Sequence, residues 1–313
     1  MSFSQLRYKG NLVFTIYNSL YRLYRALRYD WVDDATHLKR IFKIRQGYDL
    51  NLDNPKSLNE KIQWLKINDR KPLYTQLADK FAAREFVKDF FGEEYLIPLL
   101  YSTTDYRDIR PENMPDGHFI VKANHDSGSF KIVRDKTKVD WKKMQANCRW
   151  WLSINYFGFE REWCYKNIVP RIVVERLLET KAGKIPNDYK IHCIHGKVAF
   201  VYVSVDREGT NKRNIYDAQW KPLSFTWAAK EKNADKQRGA EIDPPASYAE
   251  MVQMAEKVAA MFPYVRVDFY DVDGKIYFGE ITQFHGGGFD QIRPIEWDYA
   301  LGERIDLSSL KND

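Results

Sequence analysis

Three β-hairpins are recognisable in the sequence, and no other feature constrains the fold as strongly. They span residues 118–134, 188–205 and 264–284, where runs of β-branched and aromatic residues are interrupted by short turns such as His195-Gly196. Segments with helical periodicity lie before and between them. Because hairpins build antiparallel sheets, this alternation predicts an α+β protein and not a simple doubly wound parallel sheet.

The helical segments carry start and stop signals. Ser57-Leu-Asn-Glu60 has the spacing of a capping box, and Ser247-Tyr-Ala-Glu250 repeats it. Pro72 indicates the start of a helix that continues through LADKFAAREFVKDFF and ends at Gly92. These signals predict that most of the chain before residue 110 is helical.

The first hairpin has a small polar loop at its tip. The stretch VKANHDSGSFKIV, residues 121–133, places Lys122 on an apolar strand and returns directly into a second strand. The phosphate-binding patterns GxxxxGK[ST] and GxGxxG are absent here, and both would open a helix instead. The tip therefore either covers an anion from above or is an ordinary solvated turn.

The third hairpin concentrates charged residues on one strand face. A two-residue turn would direct Glu280 to the face opposite Asp268, whereas a three-residue loop with a left-handed Gly274 would place Arg266, Asp268 and Glu280 together. We predict the three-residue loop. Such a group, flanked by Thr282, would offer oxygen ligands to Mg²⁺ and a cation to phosphate. A surface ladder of ion pairs is the alternative.

Length and composition narrow the class of protein. A chain of 313 residues exceeds the usual single core, so two or three subdomains are expected. Three scattered cysteines fit no disulfide framework or zinc spacing, which favours a reducing compartment and a cytoplasmic protein. The net charge of +6 is spread along the chain and does not indicate nucleic-acid binding.

Residues 11–32 form a basic amphipathic segment. Its apolar residues recur at helical spacing, with Arg22, Arg25 and Arg28 beside them. We predict a helix that packs on the main body of the protein. A peripheral contact with the inner face of a membrane is the alternative. The apolar residues are Leu12, Ile16, Leu20, Leu23 and Leu27.

Three features follow one another along the chain: Lys122 before the hairpin loop, the strand exit Glu175-Arg-Leu-Leu-Glu179, and the hairpin with Arg266, Asp268 and Glu280. Their order resembles the ATP-grasp enzymes, which hold ATP between two α+β subdomains. Longer stretches resemble in particular the TupA-like branch, which acts in teichuronopeptide biosynthesis. This resemblance covers roughly residues 35–310 and rests on NPKSLNEKIQWLK, LADKFAAREFV, YLIPLL, FIVKANHDSGS, DYKIHCIHGK, VRVDFYDVDGKIYFGEIT and WDYALGERIDL.

The resemblance also implies how the chain is divided. Residues 1–72 would form a helical N-terminal extension, and residues 73–116 an N-terminal α/β segment. Residues 117–175 would form the small lid subdomain, and residues 176–313 the C-terminal subdomain with the metal site. The expected architecture is therefore an ATP-grasp sandwich with a helical extension.

A nucleotide site between the subdomains is implied as well. Lysines would neutralise the phosphates of ATP, and the loop of residues 127–129 would cover them with backbone N–H groups. The strand exit would line the adenine, and Glu179 or Asp188 would bind the ribose. The implied nucleotide-binding residues are Lys80, Lys122, Ser127, Gly128, Ser129, Glu175, Arg176, Leu177, Glu179 and Asp188.

The implied reaction centre lies on the second and third hairpins. Asp268, Glu280 and Thr282 would bind Mg²⁺, while Arg266 and Lys190 would stabilise the phosphate during transfer. Many ATP-grasp enzymes have asparagine where this chain has threonine, so the number of metal ions stays open.

Arg207, Arg213 and Asp217 are candidates for binding the acceptor, and the role of His125 stays open. The loop of residues 285–288 would form an oxyanion pocket or a substrate loop, or else a plain flexible connection.

The resemblance implies an ATP-dependent carboxylate–amine ligase that works through an acyl phosphate. Its implied substrates are a uronic-acid unit of a bacterial surface polysaccharide, such as a capsule or other cell-envelope glycan, and an amino acid. One alternative is a kinase of the same fold that phosphorylates a sugar or polyol hydroxyl. The other is a non-catalytic glycan-binding protein.

Overall fold

The computed structural model describes residues 9–228 and 238–310. The helices are α1 (Asn11–Arg25), α2 (Asp34–Gln46), α3 (Leu58–Asn68), α4 (Pro72–Ala78), α5 (Ala83–Phe90), α6 (Trp141–Ser153), α7 (Phe157–Glu160), α8 (Tyr248–Ala259) and α9 (Glu296–Glu303). The strands are β1 (Leu99–Thr103), β2 (Phe119–Ala123), β3 (Phe130–Val133), β4 (Ile172–Arg176), β5 (Asp188–Ile194), β6 (Lys197–Val205), β7 (Lys212–Tyr216), β8 (Thr226–Ala228), β9 (Tyr264–Val272), β10 (Lys275–Thr282) and β11 (Gln291–Arg293).

Two antiparallel sheets form the body of the protein. A four-stranded sheet has the order β1-β4-β2-β3, and a five-stranded sheet has the order β10-β9-β5-β6-β7. The larger core packs α3, α4 and α8 with the five-stranded sheet, and the smaller packs α6 with the four-stranded sheet. The predicted α+β fold and all three predicted hairpins are confirmed. The predicted segment limits at residues 72, 116 and 175 stay a prediction.

Of the two capping boxes predicted from the sequence, the structure contains the one at α3 and lacks the one at α8. Ser57 and Glu60 make the reciprocal hydrogen bonds of a capping box at α3, as predicted. The box predicted at the start of α8 is wrong, because the Ser247 side chain accepts no bond from that helix. Its hydroxyl donates instead to Asp271 on β9, which joins α8 to the five-stranded sheet.

The single helix predicted from Pro72 to Gly92 is interrupted. It divides into α4 and α5, because the Asp79 carboxylate accepts hydrogen bonds from the N–H groups of Phe81 and Ala82. Residues 124–129 join β2 to β3 and are called the lid loop below. Asn124 in this loop fixes the break by donating to Asp79 Oδ1 at 2.8 Å and accepting from the Lys80 N–H at 3.0 Å. The break therefore places Lys80 beside the lid instead of on a helix surface.

The β9–β10 hairpin turns differently from the prediction. Val272 pairs with Lys275, so Asp273 and Gly274 form a two-residue turn in which both φ angles are positive, 54° and 91°. The predicted three-residue loop is therefore wrong. A β-bulge at Gly279, between Phe278 and Glu280, adds one residue to β10 and returns Glu280 to the face of Asp268. The predicted grouping of charges is present, but the bulge produces it.

Helix α1 packs on the main body through only part of its surface. Phe14 and Tyr17 are its buried residues, and Tyr17 lies against Trp150 of α6 with ring centroids 5.7 Å apart. The five apolar residues noted in the sequence point away from this contact and are exposed. A π-helical turn, Ala26–Asp30, follows α1. No helix in the described part of the chain is long and apolar enough to cross a membrane.

Candidate active site

A cavity of about 640 Å³ lies between the two large sheets. Strands β2, β3 and β4 form one wall, and β5, β6, β9 and β10 form the other. All the residues that the sequence assigned to the site line this cavity, except Glu179, Arg266 and Thr282. Positions from residue 80 to residue 280 are therefore brought to one cleft.

Asp268 is the centre of the charged group on the five-stranded sheet. It is 2% exposed, and it pairs in register with Lys190 on β5 and with Glu280 on β10. The Arg266 guanidinium donates to both of its oxygens, from Nε at 2.6 Å and from Nη2 at 2.8 Å. Lys190 Nζ donates to Asp268 Oδ2 at 2.7 Å and to Asp188 Oδ2 at 2.6 Å. Glu280 on β10 also pairs with Arg266, so five side chains from three adjacent strands form one ion-pair network.

The pKa values of Asp268 and Glu280, which lie opposite each other, are shifted in opposite directions. Burial raises the pKa of Asp268, and the charges of Arg266 and Lys190 oppose that rise. For Glu280 the cations prevail over burial, and Arg266, Lys80 and Lys190 lower its pKa to about 2. Glu280 therefore carries a full negative charge at neutral pH and faces the cleft.

The chemistry of this group suits Mg²⁺. Asp268 and Glu280 offer carboxylate oxygens, and Thr282 Oγ1 lies 3.3 Å from Glu280 Oε1. In the described residues there is no cluster of three His, Cys, Asp or Glu side chains that could hold a metal ion alone. Magnesium in nucleotide sites usually takes one or two carboxylates together with substrate phosphates and water. The residues present fit that donor set.

Two lysines approach the same region from the other wall. Lys122 Nζ pairs with Glu175 Oε2 at 2.6 Å, and Arg84 Nη1 lies 3.6 Å from the other oxygen of that carboxylate. Lys80 Nζ donates to the carbonyl oxygen of Asp126 at the base of the lid loop. Burial lowers the pKa of Lys80, and Lys122 adds to this effect. An anion between the walls would face both lysines.

The lid loop is anchored at its base and exposed at its tip. His125 is buried, and its ring nitrogens contact Asn124 Oδ1 at 2.9 Å and the carbonyl oxygen of Trp151 at 3.1 Å. It does not line the cavity, so we infer that it fixes the loop against α6. Ser127 and Gly128 at the tip are exposed, and Gly128 has a φ of 93°. Their backbone N–H groups can therefore turn toward a ligand.

The far end of the cleft on the lid side is apolar. The N–H groups of Arg176 and Leu177 already donate to the carbonyls of Pro98 and His118. An adenine here would therefore rely on carbonyl oxygens and apolar side chains rather than on these two donors. The apolar lining residues at this end are Ile97, Ile120, Ile132, Leu177, Leu178, Ile185 and Pro186.

The two residues considered for the ribose lie in different places. Asp188 lines the cavity, and its Oδ1 is buried without a hydrogen-bond partner, so it can accept a bond from a hydroxyl. Glu179 lies outside, where His118 Nδ1 and Arg134 Nε contact its oxygens at 2.6 and 3.2 Å. The geometry favours Asp188.

Sequence reasoning assigned no role to His285, and the structure gives it one. Its Nδ1 lies 2.6 Å from Arg266 Nη1, and burial together with Arg266 lowers its pKa well below the ordinary value. A neutral ring can accept a hydrogen bond from the guanidinium at Nδ1 and so hold Arg266 in place. The only sequence signal was the glycine run after β10, in which Gly286 and Gly287 have φ angles of 56° and 59°.

Side chains of α3 donate hydrogen bonds to the backbone of the glycine run, residues 286–288. Lys66 Nζ donates to the Gly287 carbonyl at 2.5 Å, and Gln63 Nε2 donates to the carbonyls of Gly287 and Gly288 at 2.9 and 2.8 Å. Lys66 has no exposed surface, and burial lowers its pKa to about 8. Nothing in the sequence of α3 distinguished these residues from a solvated helix face.

A second part of the cavity extends beyond the ion-pair network. It is lined by Tyr202, Asn211, Arg207, Arg213 and Asp290. The Arg207 guanidinium lies 5.4 Å from the ring centre of Tyr270. Burial and the nearby Glu160 raise the pKa of Asp290 to about 6. This part of the cavity offers both cations and a carboxylate to a second ligand.

Comparison with known proteins gives a family and several structural neighbours. The sequence model of the family described as TupA-like ATPgrasp matches residues 60–306. A D-alanine–D-alanine ligase from Bacillus anthracis is 17% identical, with 76% of this chain and 66% of that chain covered and a TM-score of 0.40. For the structure of that ligase in complex with ATP, the sequence identity is 15% and the TM-score is 0.37, with 66% of this chain and 54% of that chain covered.

A RiPP-associated ATP-grasp ligase from Chryseobacterium gregarium, in complex with ADP and a leader and core peptide, is 13% identical. That match covers 82% of this chain and 67% of that one, with a TM-score of 0.38. The chain thus spans between 54% and 66% of the length of the D-alanine–D-alanine ligases. The search among curated proteins found no significant match.

Proposed function

The chain belongs to the TupA-like ATP-grasp family, and on that basis we propose that it is an ATP-dependent ligase joining a carboxylate to an amine. The observation that supports this best is the arrangement across the cleft. Asp268, Glu280 and Lys190 line one wall, where Arg266 contacts both carboxylates, and Lys80 and Lys122 line the other wall. The proposed cofactors are ATP and Mg²⁺.

In this proposal the nucleotide lies along the cleft. The adenine enters the apolar end near Leu177, and the ribose hydroxyls donate to the unpaired oxygen of Asp188. The phosphates then lie between Lys80 and Lys122, under the lid tip. Magnesium bound at Asp268 and Glu280 would supply charge neutralisation between phosphate oxygens.

The protein's contribution to the chemistry is to offset negative charge. A substrate carboxylate attacks the γ-phosphorus, the bond from that phosphorus to the β-phosphate oxygen breaks, and ADP leaves. Lys190, which lines the cavity, then faces the developing charge, whereas Arg266 lies outside the lining and holds Asp268 and Glu280 in position. An amine attacks the carbonyl carbon of the acyl phosphate, loses a proton and displaces inorganic phosphate.

The proposed substrates are a uronic-acid unit of a surface glycan and an amino acid, and the proposed place of action is the cytoplasm. The second part of the cavity supports two anionic or zwitterionic ligands, because Arg207 and Arg213 can pair with carboxylates there and Asp290 with an ammonium group. The family resemblance, and not the cavity, suggests the uronic acid.

A kinase is the second candidate, and one observation favours it. Transfer to a hydroxyl needs a general base, and Asp290 lines the cavity with a pKa raised to about 6 by burial and by Glu160. The same carboxylate would serve the ligase by accepting the proton that the attacking amine loses. Both reactions release ADP, so an ADP assay does not separate them.

Trapping with hydroxylamine separates the two. The enzyme is incubated with MgATP, a uronic-acid oligosaccharide and hydroxylamine, which intercepts acyl phosphates. We expect a hydroxamate and one free phosphate for each ATP consumed. Lys190→Gln should lose both products, whereas Lys184→Gln, at an exposed position of the loop before β5, should retain them. Phosphate that stays covalently on the glycan would establish the kinase instead.

A further inference from the structure

Helix α1 presents a row of exposed aliphatic side chains that no part of the described protein covers. Their helical positions place them within about 80° of one another around the axis, at 100° per residue. Each is between 50% and 75% exposed. This α1 stripe consists of Leu12, Ile16, Leu20 and Leu23 of α1 together with Leu27 of the π-helical turn that continues it.

The α1 stripe faces away from the protein because the opposite side of α1 packs against α6. Phe14 lies under the Arg149 guanidinium at 4.0 Å, and Tyr17 and Tyr21 contact Trp150 with ring centroids 5.7 and 5.4 Å apart. Arg149 also donates to Asn11 Oδ1 at 2.6 Å. Rotating α1 to bury the stripe would break all of these contacts.

A groove adjoins the end of the stripe. A cavity of about 530 Å³ lies between the π-helical turn and α2, and Leu27, Trp31, Arg28 and Arg40 are among its lining residues. Trp31 is 77% exposed, and its Nε1 donates to the Leu27 carbonyl at 2.9 Å. An indole at the edge of an aliphatic surface is the arrangement found where a protein meets a lipid–water boundary.

The charge around the stripe is positive. Exposed basic side chains flank it on α1, the π-helical turn and α2, while nearby acidic groups have local partners. Asp30 lies 3.9 Å from Arg25, and Asp34 pairs with Arg70 at 2.6 Å. The Asp33 carboxylate caps the start of α2. The exposed basic residues are Arg22, Arg28, Lys39 and Arg40.

We propose that the α1 stripe and this groove bind the surface of an anionic phospholipid bilayer. The aliphatic residues would enter the boundary between headgroups and acyl chains, with α1 parallel to the membrane plane, while Arg28 and Arg40 pair with lipid phosphates. The charge complementarity favours lipid over a second copy of the chain, which would bring two basic surfaces together. This proposal does not depend on the ligase chemistry.

The test is co-sedimentation of the full chain with vesicles of phosphatidylcholine, with and without phosphatidylglycerol. We expect binding to the anionic vesicles that weakens as salt is added. The double substitution Leu20→Glu with Leu23→Glu should lower the vesicle affinity by at least about tenfold, since affinity follows the buried apolar area. The matched control is Val169→Glu, because Val169 is 68% exposed on the loop before β4.

Two further double substitutions test the electrostatic part of the binding to anionic vesicles. Arg28→Gln with Arg40→Gln should weaken binding by about fivefold for each arginine. Lys142→Gln with Lys143→Gln, two exposed lysines of α6, should leave it unchanged. Melting temperatures check that each variant folds, and Leu12→Ser with Leu27→Ser replaces the glutamate variant if that one does not fold.

Two outcomes would overturn the proposal. Equal sedimentation of the wild type and the glutamate variant would mean that the stripe does not contact lipid. A wild-type dimer that the same variant converts to a monomer, without vesicle binding, would show that a second copy covers the stripe.

Discussion

Glu280 lies directly opposite Asp268 because Gly279 is one extra residue in β10. A side chain at Gly279 would be crowded, since an added Cβ would lie 3.0 Å from the Asp268 carbonyl oxygen and 3.1 Å from its Cβ. Any larger residue would therefore push β9 and β10 slightly apart. Glycine at residue 279 thus helps to set the distance between the two carboxylates.

Gly279→Ala should displace Glu280 from Asp268 by a fraction of an ångström and lower turnover, with the roughly 100-fold loss of a 1 Å misplacement as the upper limit. Gly274→Ala is the matched control: its φ of 91° makes alanine unfavourable by about 1–2 kcal/mol, but it lies in the turn, away from the cleft. Turnover and melting temperature are measured for both. Equal loss of turnover in the two variants would contradict the role of the bulge.

Asp268→Asn should abolish turnover and also destabilise the free protein. Without the carboxylate charge, Arg266 and Lys190 stay buried beside a neutral amide, which costs about 3–5 kcal/mol when a buried pair is broken. Chemical denaturation gives the free energy of unfolding, and the trapping assay gives the turnover. Asp273→Asn, in the exposed turn of the same hairpin, is the control. Near-normal turnover of Asp268→Asn would remove this residue from the proposed mechanism.

Lys122→Ala should weaken ATP binding by roughly 1.5–3 kcal/mol, the contribution of a charged hydrogen bond. The Glu175 carboxylate, which pairs with Lys122, would still have Arg84 as a partner in this variant. Calorimetry measures the affinity, and the rise in melting temperature on adding MgATP measures it independently. Lys131→Ala, an exposed lysine of the same hairpin, should bind like the wild type. If MgATP does not raise the melting temperature of the wild type, the non-catalytic alternative is favoured.

Glu280 should stabilise the protein in a defined range of pH. Its pKa falls from the ordinary 4.5 to about 2 in the folded state, because Arg266, Lys80 and Lys190 outweigh burial. A depressed pKa of a carboxyl gives stability that is complete above about pH 4.5 and is lost as the pH falls toward 2. The difference in melting temperature between wild type and Glu280→Gln should therefore shrink over that range. A difference that stays constant with pH would contradict the shift.

The sequence predicted the hairpins and the charged strand face because both depend on local alternation. It could not predict the interruption at Asp79, since LADKFAARE has good helix formers and the break depends on Asn124, 45 positions away. The turn of the third hairpin was wrong for a related reason. A two-residue period identifies the faces of a strand but does not show where a glycine adds a residue.

The sequence also could not show whether a polar side chain in a loop would be buried or would face the cleft. His125 stands in the lid loop and yet is buried against α6, whereas His285 stands beyond β10 and contacts Arg266. Both follow from packing between distant elements. The leucines of α1 have the spacing of a core-facing stripe, but Phe14 and Tyr17 make the contact with the body instead.

Asn124 connects parts of the cleft that are far apart in the chain. Its backbone exchanges two hydrogen bonds, with Lys80 and with Arg171, and its side chain contacts Asp79 and the Arg171 N–H. These hydrogen bonds join Lys80 to the strand that carries Lys122. Any displacement of that strand relative to the five-stranded sheet would therefore move both lysines together with respect to Asp268 and Glu280.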